Sequence, residues 1–240
     1  MKLKQLAYLF PLLFLTLFCN TQNTNVSDTE SILTYITDAK NLQFFYKDKN
    51  GEPFLNHGNL KKKLADKDQE LVFAMNGGMY KKDFTPQGLY IENGKTIVSL
   101  DTMQKGYGNF YLQPNGVFYI SKGGQPSIVT TKQFLSNNAI TYATQSGPML
   151  LIDGGIHPKF RAGSSNLHIR NGVGILPNGR LLFAMSKERI NFYEFASFFK
   201  KHGCKNALYL DGFVSRTYLP SKNWEQLDGQ FGIIIAEIDN

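Results

Sequence analysis

The chain has 240 residues, of which 42% are hydrophobic, 13% aromatic and 19% charged. That length fits one domain or at most two small ones, and that hydrophobicity excludes disorder as the state of the body. The formal net charge is +7, too mild an excess for nucleic-acid binding without an arginine-rich strip with interleaved aromatics; it fits an anionic small substrate.

Lys2 and Lys4 precede an apolar run from Leu6 to Phe18, interrupted by Pro11. The run is shorter than the ~20 residues of a comfortable span, so residues 1–19 are expected to be a signal peptide, with an uncleaved anchor as the alternative. Cys19 follows at the position where bacterial lipoproteins are acylated, although Phe18 stands where a small residue is usual. A lipid on Cys19 would tether the protein to a membrane face. The expected location is therefore outside the cytoplasm, in the periplasm or as a membrane-anchored envelope lipoprotein. Residues 20–40 are expected to be a tether and residues 41–240 the folded body. With Cys19 in the leader, Cys204 has no partner for a disulfide framework and suits a small buried core position.

Along the body, strands are predicted at Asn41–Lys47 and Leu71–Met75, with Lys61, Lys62 and Lys63 on a solvated helix face. Three hairpins follow from turn chemistry. Asn93-Gly94 joins Gly88–Glu92 to Lys95–Leu100, and Pro114-Asn115-Gly116 joins Asn109–Gln113 to Val117–Ser121. Pro177-Asn178-Gly179 joins Gly172–Leu176 to Arg180–Met185. Asn-Gly tolerates the positive φ of tight turns. A short helix is predicted at Thr131–Asn137 and a longer one at Asn191–His202, where Asn191 and Glu194 have capping-box spacing and Phe192, Phe195, Ala196 and Phe199 share a face. Further strands are predicted at Pro148–Ile152, Asn206–Asp211 and Phe231–Glu237. The sum is a single α+β domain, a mixed, largely antiparallel sheet with packed helices.

One arrangement recurs: an apolar strand ending in a polar, glycine-rich tip. Leu71–Met75 runs into Asn76-Gly77-Gly78, Thr141–Thr144 into Gln145-Ser146-Gly147-Pro148, and Ala207–Leu210 into Asp211-Gly212. Such tips can present acids, amides and backbone N–H groups to a crevice from a rigid mount, and each taken alone also suits an ordinary turn.

The blocks FAMNGGMY, PQGLYIENGK, GNFYLQPNGVFYI, ATQSGPMLLIDGGIHPKF, IRNGVGILPNGRLLFAMS, NFYEFASFF and NALYLDGFVSRTYLP, in that order, resemble the phosphodiester glycosidase family. They cover about Leu71 to Ile235 and are nearest to its bacterial envelope branch. The resemblance implies an α+β fold and hydrolysis of a sugar-1-phosphodiester. One departure is Phe213, where many members have a second glycine after Asp-Gly, so substrate shape does not carry over.

That reaction expels a phosphate monoester, a weak base that needs little protonation. It still requires a carboxylate to activate water or attack the anomeric carbon, and positive charge or amides around the phosphate. Asp211 is the first carboxylate candidate and Glu188 the second, a solvent-facing Glu188 beside Lys187 or Arg189 being the alternative. Arg170 has the fork for a phosphate, with Arg161 and Arg216 in reserve. Asn76, Gly77, Gly78, Ser146 and Gly147 can donate to sugar or phosphate; QSGP is not a nucleophile elbow, which disfavours Ser146 as attacking group. His57, His157, His168 and His202 lack metal-ligand spacing, although His157 and His168 can line a loop over the site. No metal or nucleotide cofactor is expected. The expected partner is a phosphorylated sugar or glycopolymer, and neither nucleic acid nor, apart from the Cys19 tether, a membrane. A non-catalytic carbohydrate- or polymer-binding envelope module, and a metal-dependent phosphodiesterase, are the competing readings.

Overall fold

The computed structural model describes residues 28–137, 139–211 and 214–239. The expected leader, Cys19 and the Gly212-Phe213 pair lie outside the described residues.

Strands dominate, in three antiparallel sheets. The first sheet is ordered β1 (Ile32–Thr37), β12 (Leu181–Ser186), β11 (Asn171–Ile175), β13 (Ala207–Asp211), β9 (Met149–Ile152), β10 (Gly155–Ile156). The second is ordered β15 (Trp224–Glu225), β14 (Thr217–Leu219), β3 (Glu70–Asn76), β16 (Ile234–Asp239), β2 (Leu42–Phe45). The third is ordered β5 (Lys95–Val98), β4 (Tyr90–Glu92), β8 (Ile140–Ser146), β6 (Gly116–Ser121), β7 (Pro126–Thr130). The expected α+β class is thereby overturned: among the described residues the α-helices are two, α1 (His57–Ala65) and α2 (Phe192–Lys201), and both cover outer faces of sheets.

The reason lies in the alternation along each strand. In β13, Leu208 and Leu210 enter the central core, whereas Ala207 and Tyr209 face a second cluster with Phe195 and Phe199 of α2. In β12, Leu181, Phe183 and Met185 point one way, Leu182 and Ala184 the other. A strand buried on both faces gives a continuous apolar run, which is why these segments lack a polar face in the sequence. The central core sits where the three sheets meet. Phe183 of the first sheet lies 5.2 Å from Phe73 of the second and 6.3 Å from Phe118 of the third, ring centre to ring centre. Phe44 of β2 in turn packs on Phe118 and Tyr142 of the third sheet.

Helix α2 is built as expected: the Asn191 side chain accepts from the Glu194 N–H at 2.9 Å, and Gly203 beyond the C-terminus has φ +77°. Helix α1 carries Lys61–Lys63 outward, while Leu60 and Leu64 pack on β3 and β16 and the buried His57 lies against Phe231. Two hairpins stand, β4–β5 through Asn93-Gly94 (both φ positive) and β11–β12 through Asn178-Gly179. Two elements differ. Asn109–Tyr111 is a 3-10 turn rather than a strand, so Pro114–Gly116 joins no hairpin. Residues 131–137 form a turn and loop, not a helix; Phe134 from this loop plugs the outer face of the third sheet against Val117 and Ile140. Within the segment expected as tether, residues 32–37 form β1, paired along its length with β12.

Candidate active site

Three strand ends converge at one seam between the first and second sheets. Asp211 ends β13, Asn171 begins β11 beside it, and Asn76 ends β3. Asn171 and Asp211 are register partners, with a bulge between Asn171 and Gly172; bulges of this kind re-aim side chains next to sites. The Asp211 N–H donates to Asn171 Oδ1 at 2.9 Å. Asn171 Nδ2 donates to both the backbone oxygen and Oδ1 of Asn76, each at 2.9 Å. Asn76 Nδ2 donates to Asp211 Oδ2 at 2.7 Å and to the Val214 carbonyl, and Asn76 Oδ1 also accepts the Arg216 N–H. Asn76, Asn171 and Asp211 are all buried. Two amides with saturated partners therefore fix one carboxylate oxygen, a rigid mount of the kind a reacting group needs.

Asp211 lines a cleft of about 760 Å³. The walls carry Lys81, Lys82, His168 and Arg189, with Tyr80, Tyr107 and Phe110. Lys81, Lys82 and Arg189 make no ion pair among the described residues, whereas Lys61, Lys63, Arg180, Arg216 and Lys222 on other surfaces each have a carboxylate partner. Asp211 is the one carboxylate among the described residues of the lining. Burial, with the Asp211 charge second, pushes the Tyr80 phenol up to about 12, and its hydroxyl donates to the Gln230 carbonyl. Burial and then the neighbouring Arg170 and Arg189 charges hold the His168 imidazole below its ordinary range, favouring the neutral ring.

The cleft walls are loops hung on the strand ends. His168 and Arg189 come from two segments joined through paired backbone bonds between His168 and Ile190. The loop to Tyr107 is anchored by the buried Gln145: its Oε1 accepts from the Leu89 and Asp101 N–H groups and its Nε2 donates to the Asp101 carbonyl.

Several candidates from the sequence lie elsewhere. Arg170 is fully buried, so it is no phosphate ligand of the cleft: Nε donates to the Ile190 carbonyl, Nη2 to Asn166, and Nη1 to the Tyr209 hydroxyl, with the guanidinium 3.6 Å above the Phe192 ring. Arg216 forms a two-pronged pair with Asp228 at 3.0 and 3.1 Å. Glu188 is exposed and outside the lining. Arg161 lies in a smaller neighbouring cavity. Ser146 is buried and donates to the Leu210 carbonyl at 2.6 Å, and Gly147 packs against Asn115 and Phe110. At Gly77 and Gly78 a Cβ would come within 2.5 Å of Ile235 and Thr144 respectively, and the Gly77 N–H donates to Ile233; these glycines serve close packing of the tip. His157 is buried against Phe160, outside the cleft lining. Missed from the sequence were Lys81, Lys82, Arg189, Tyr107 and the part of Asn171; an Asn opening a strand opposite Asp211 was the one available signal. Among the described residues no group of three or more His, Cys, Asp or Glu side chains is arranged to hold a metal ion.

An uncharacterised Escherichia coli K12 protein, YigE, is 38% identical over 194 residues, covering 80% of this chain and 74% of its own. The fold is similar to that of the zebrafish N-acetylglucosamine-1-phosphodiester alpha-N-acetylglucosaminidase catalytic domain, in a structure auto-inhibited by its pro-peptide (TM-score 0.60, 15% identity, 90% of this chain and 86% of that one). It is also similar to a hypothetical protein from Synechocystis (TM-score 0.52, 13% identity, 87% of this chain and 59% of that one). The family model for phosphodiester glycosidases matches residues 69–232, which contain Asn76, Asn171, Asp211 and the basic walls of the cleft; this chain belongs to the phosphodiester glycosidase family.

Proposed function

We propose that the protein hydrolyses a sugar-1-phosphodiester at the Asp211 cleft, breaking the bond between the anomeric carbon and the phosphate oxygen. The observation that carries this is a carboxylate oxygen fixed by Asn76 on the floor of a cleft whose cations, Lys81, Lys82 and Arg189, have no carboxylate partner among the described residues.

The phosphate would lie among those cations, which stabilise the charge gathering on the leaving oxygen. Asp211 would take a proton from water attacking the anomeric carbon, or attack that carbon itself; in either route water finally supplies the hydroxyl of the free sugar. The phosphate monoester leaves as an anion. Glycosidases ordinarily pair two carboxylates. One suffices here because the leaving group is already a weak base, and Glu188, exposed outside the lining, lends no support to a second. The leader and Cys19 of the sequence support action in the cell envelope.

The test is incubation of the leaderless protein with a panel of sugar-1-phosphodiesters. Release of free sugar, lost by at least ~10²-fold in Asp211→Asn with the melting temperature retained, is the expected result. Release of sugar phosphate would assign P–O cleavage instead. Tight binding of one compound without any release would assign the cleft to a binding module.

A further inference from the structure

A second, smaller cavity of about 210 Å³ adjoins the cleft and is lined by Lys159, Arg161, Ser164, Asn166 and Tyr193 as well as Asn109. Two chain segments run from one cavity into the other. Asn109 lines both. The segment that offers Ser164 and Asn166 to the smaller cavity offers His168 to the cleft. The two hollows therefore share walls on two sides, as successive stations of one groove would.

The smaller cavity repeats the charge character of the larger one. Lys159 and Arg161 are exposed and neither pairs with a carboxylate among the described residues. Arg161 is held in place through Nη1, which donates to the Pro158 and Phe160 carbonyls at 2.7 and 3.0 Å. Its Nε and Nη2 make no hydrogen bond among the described residues, which leaves an edge of the fork for an anion. Tyr193, half-buried, adds a ring, and Ser164 and Asn166 add groups suited to sugar hydroxyls. The groove as a whole thus gathers five cations without a carboxylate partner among the described residues, three in the cleft with Asp211 and two in the smaller cavity. A single phosphodiester brings one negative charge. Surplus positive charge of this kind selects a ligand with more than one anionic group.

Resting on the reaction proposed above, we infer that the substrate is an oligomer or polymer of sugars joined by phosphodiesters, one repeat reacting at Asp211 while a neighbouring repeat puts its phosphate on Lys159 and Arg161. The reacting cleft supplies the chemistry and the smaller cavity supplies preference for length and charge.

The experiment compares a single-repeat sugar-1-phosphodiester with a short oligomer of the same repeat, for the wild type and for Lys159→Ala/Arg161→Ala. Both side chains are exposed, and melting curves check that the variant folds. The wild type should turn over the oligomer with the higher kcat/KM. In the variant the ratio of kcat/KM for oligomer over single repeat should fall roughly tenfold, through KM. A ratio within about twofold of the wild type, or a wild type indifferent to length, overturns the second station. An oligomer extended by uncharged sugars that gains as much would overturn the role of charge. If neither substrate is cleaved, the proposed reaction falls, and calorimetric binding of the oligomer decides the station by itself: tighter binding to the wild type than to the variant keeps it, and equal binding removes it.

Discussion

Arg170 shows how a residue's neighbours decide its role. A guanidinium beside an Asn-Gly strand start looks like a phosphate fork in the sequence, and burial makes it a structural rivet instead. Its donors hold the Ile190 and Asn166 carbonyls, and its plane lies over Phe192. It thereby ties together the two segments that bring His168 and Arg189 to the cleft. Arg170→Lys keeps the charge but cannot reproduce that fork, and leaves the buried Tyr209 hydroxyl and the part-buried Ile190 and Asn166 acceptors short of donors. The expected cost is roughly 2–4 kcal/mol, read by urea unfolding, with a melting temperature lower by roughly 6–12 °C. A variant as stable as the wild type but with a raised KM for phosphodiesters would return Arg170 to the ligand set. Asn76 makes the complementary case. Asn76→Ala removes the donor to Asp211 Oδ2 and the acceptor for the Arg216 N–H, so both stability and turnover should fall. Asp211→Asn, which retains an oxygen for Asn76, should lose turnover alone.

At the scale of elements, the sequence speaks clearly where local chemistry dictates backbone. Asn93, Gly94 and Gly179 take the positive φ values their turns require, and Asn191 caps α2 as its spacing announces. It misleads where a tertiary partner decides. The run 131–137 has helical composition, yet Phe134 is drawn onto the third sheet and the segment stays a loop. Asn109–Gln113 has strand composition, and its Phe110 is instead buried from a 3-10 turn at the cleft wall. Asp211 and Asn76 were visible as polar tips on apolar strands; the basic walls were not, because they come from loops whose meeting depends on how three sheets pack. The loop from Asp101 to Gly108 is the clearest instance. Gln145 pins its base and Tyr111 packs against Gly106, while Tyr107 at the cleft mouth is 99% exposed. A large ring held fully in solvent at a cleft contributes little to folding. Tyr107→Ala should leave the melting temperature within about 1 °C and raise KM several-fold, on the order of 1 kcal/mol of lost ring contact. An unchanged KM would make Tyr107 a bystander.

At the scale of the whole molecule, the three sheets are sealed by small covers, and one cover contains a titratable group. His57 begins α1, is fully buried, and its Nδ1 lies 3.0 Å from the Gln226 carbonyl while Nε2 has no hydrogen-bond partner among the described residues. Burial lowers its pKa to about 4 from an ordinary 6.5. In the native state the ring therefore stays neutral down to about pH 4, whereas the unfolded chain binds a proton from about pH 6.5 downward. Above pH 6.5 neither state is charged there and stability is full. Between pH 6.5 and 4 the unfolded state alone gains the proton, so stability falls with pH, by about 3 kcal/mol in total. Below pH 4 the loss levels off. His157, buried against Phe160 and also lowered to about 4, adds in the same direction. Unfolding free energies measured in urea at pH 7, 6 and 5 should therefore decline steadily. In His57→Phe, which keeps a ring against Phe231 but cannot titrate, the decline should be shallower even if the value at pH 7 is lower. The stability of the wild type minus that of the variant must consequently decrease as the pH falls, because the histidine protein alone carries the cost of holding that ring unprotonated; a constant difference across the three pH values would mean that the α1 cover opens to admit a proton without unfolding.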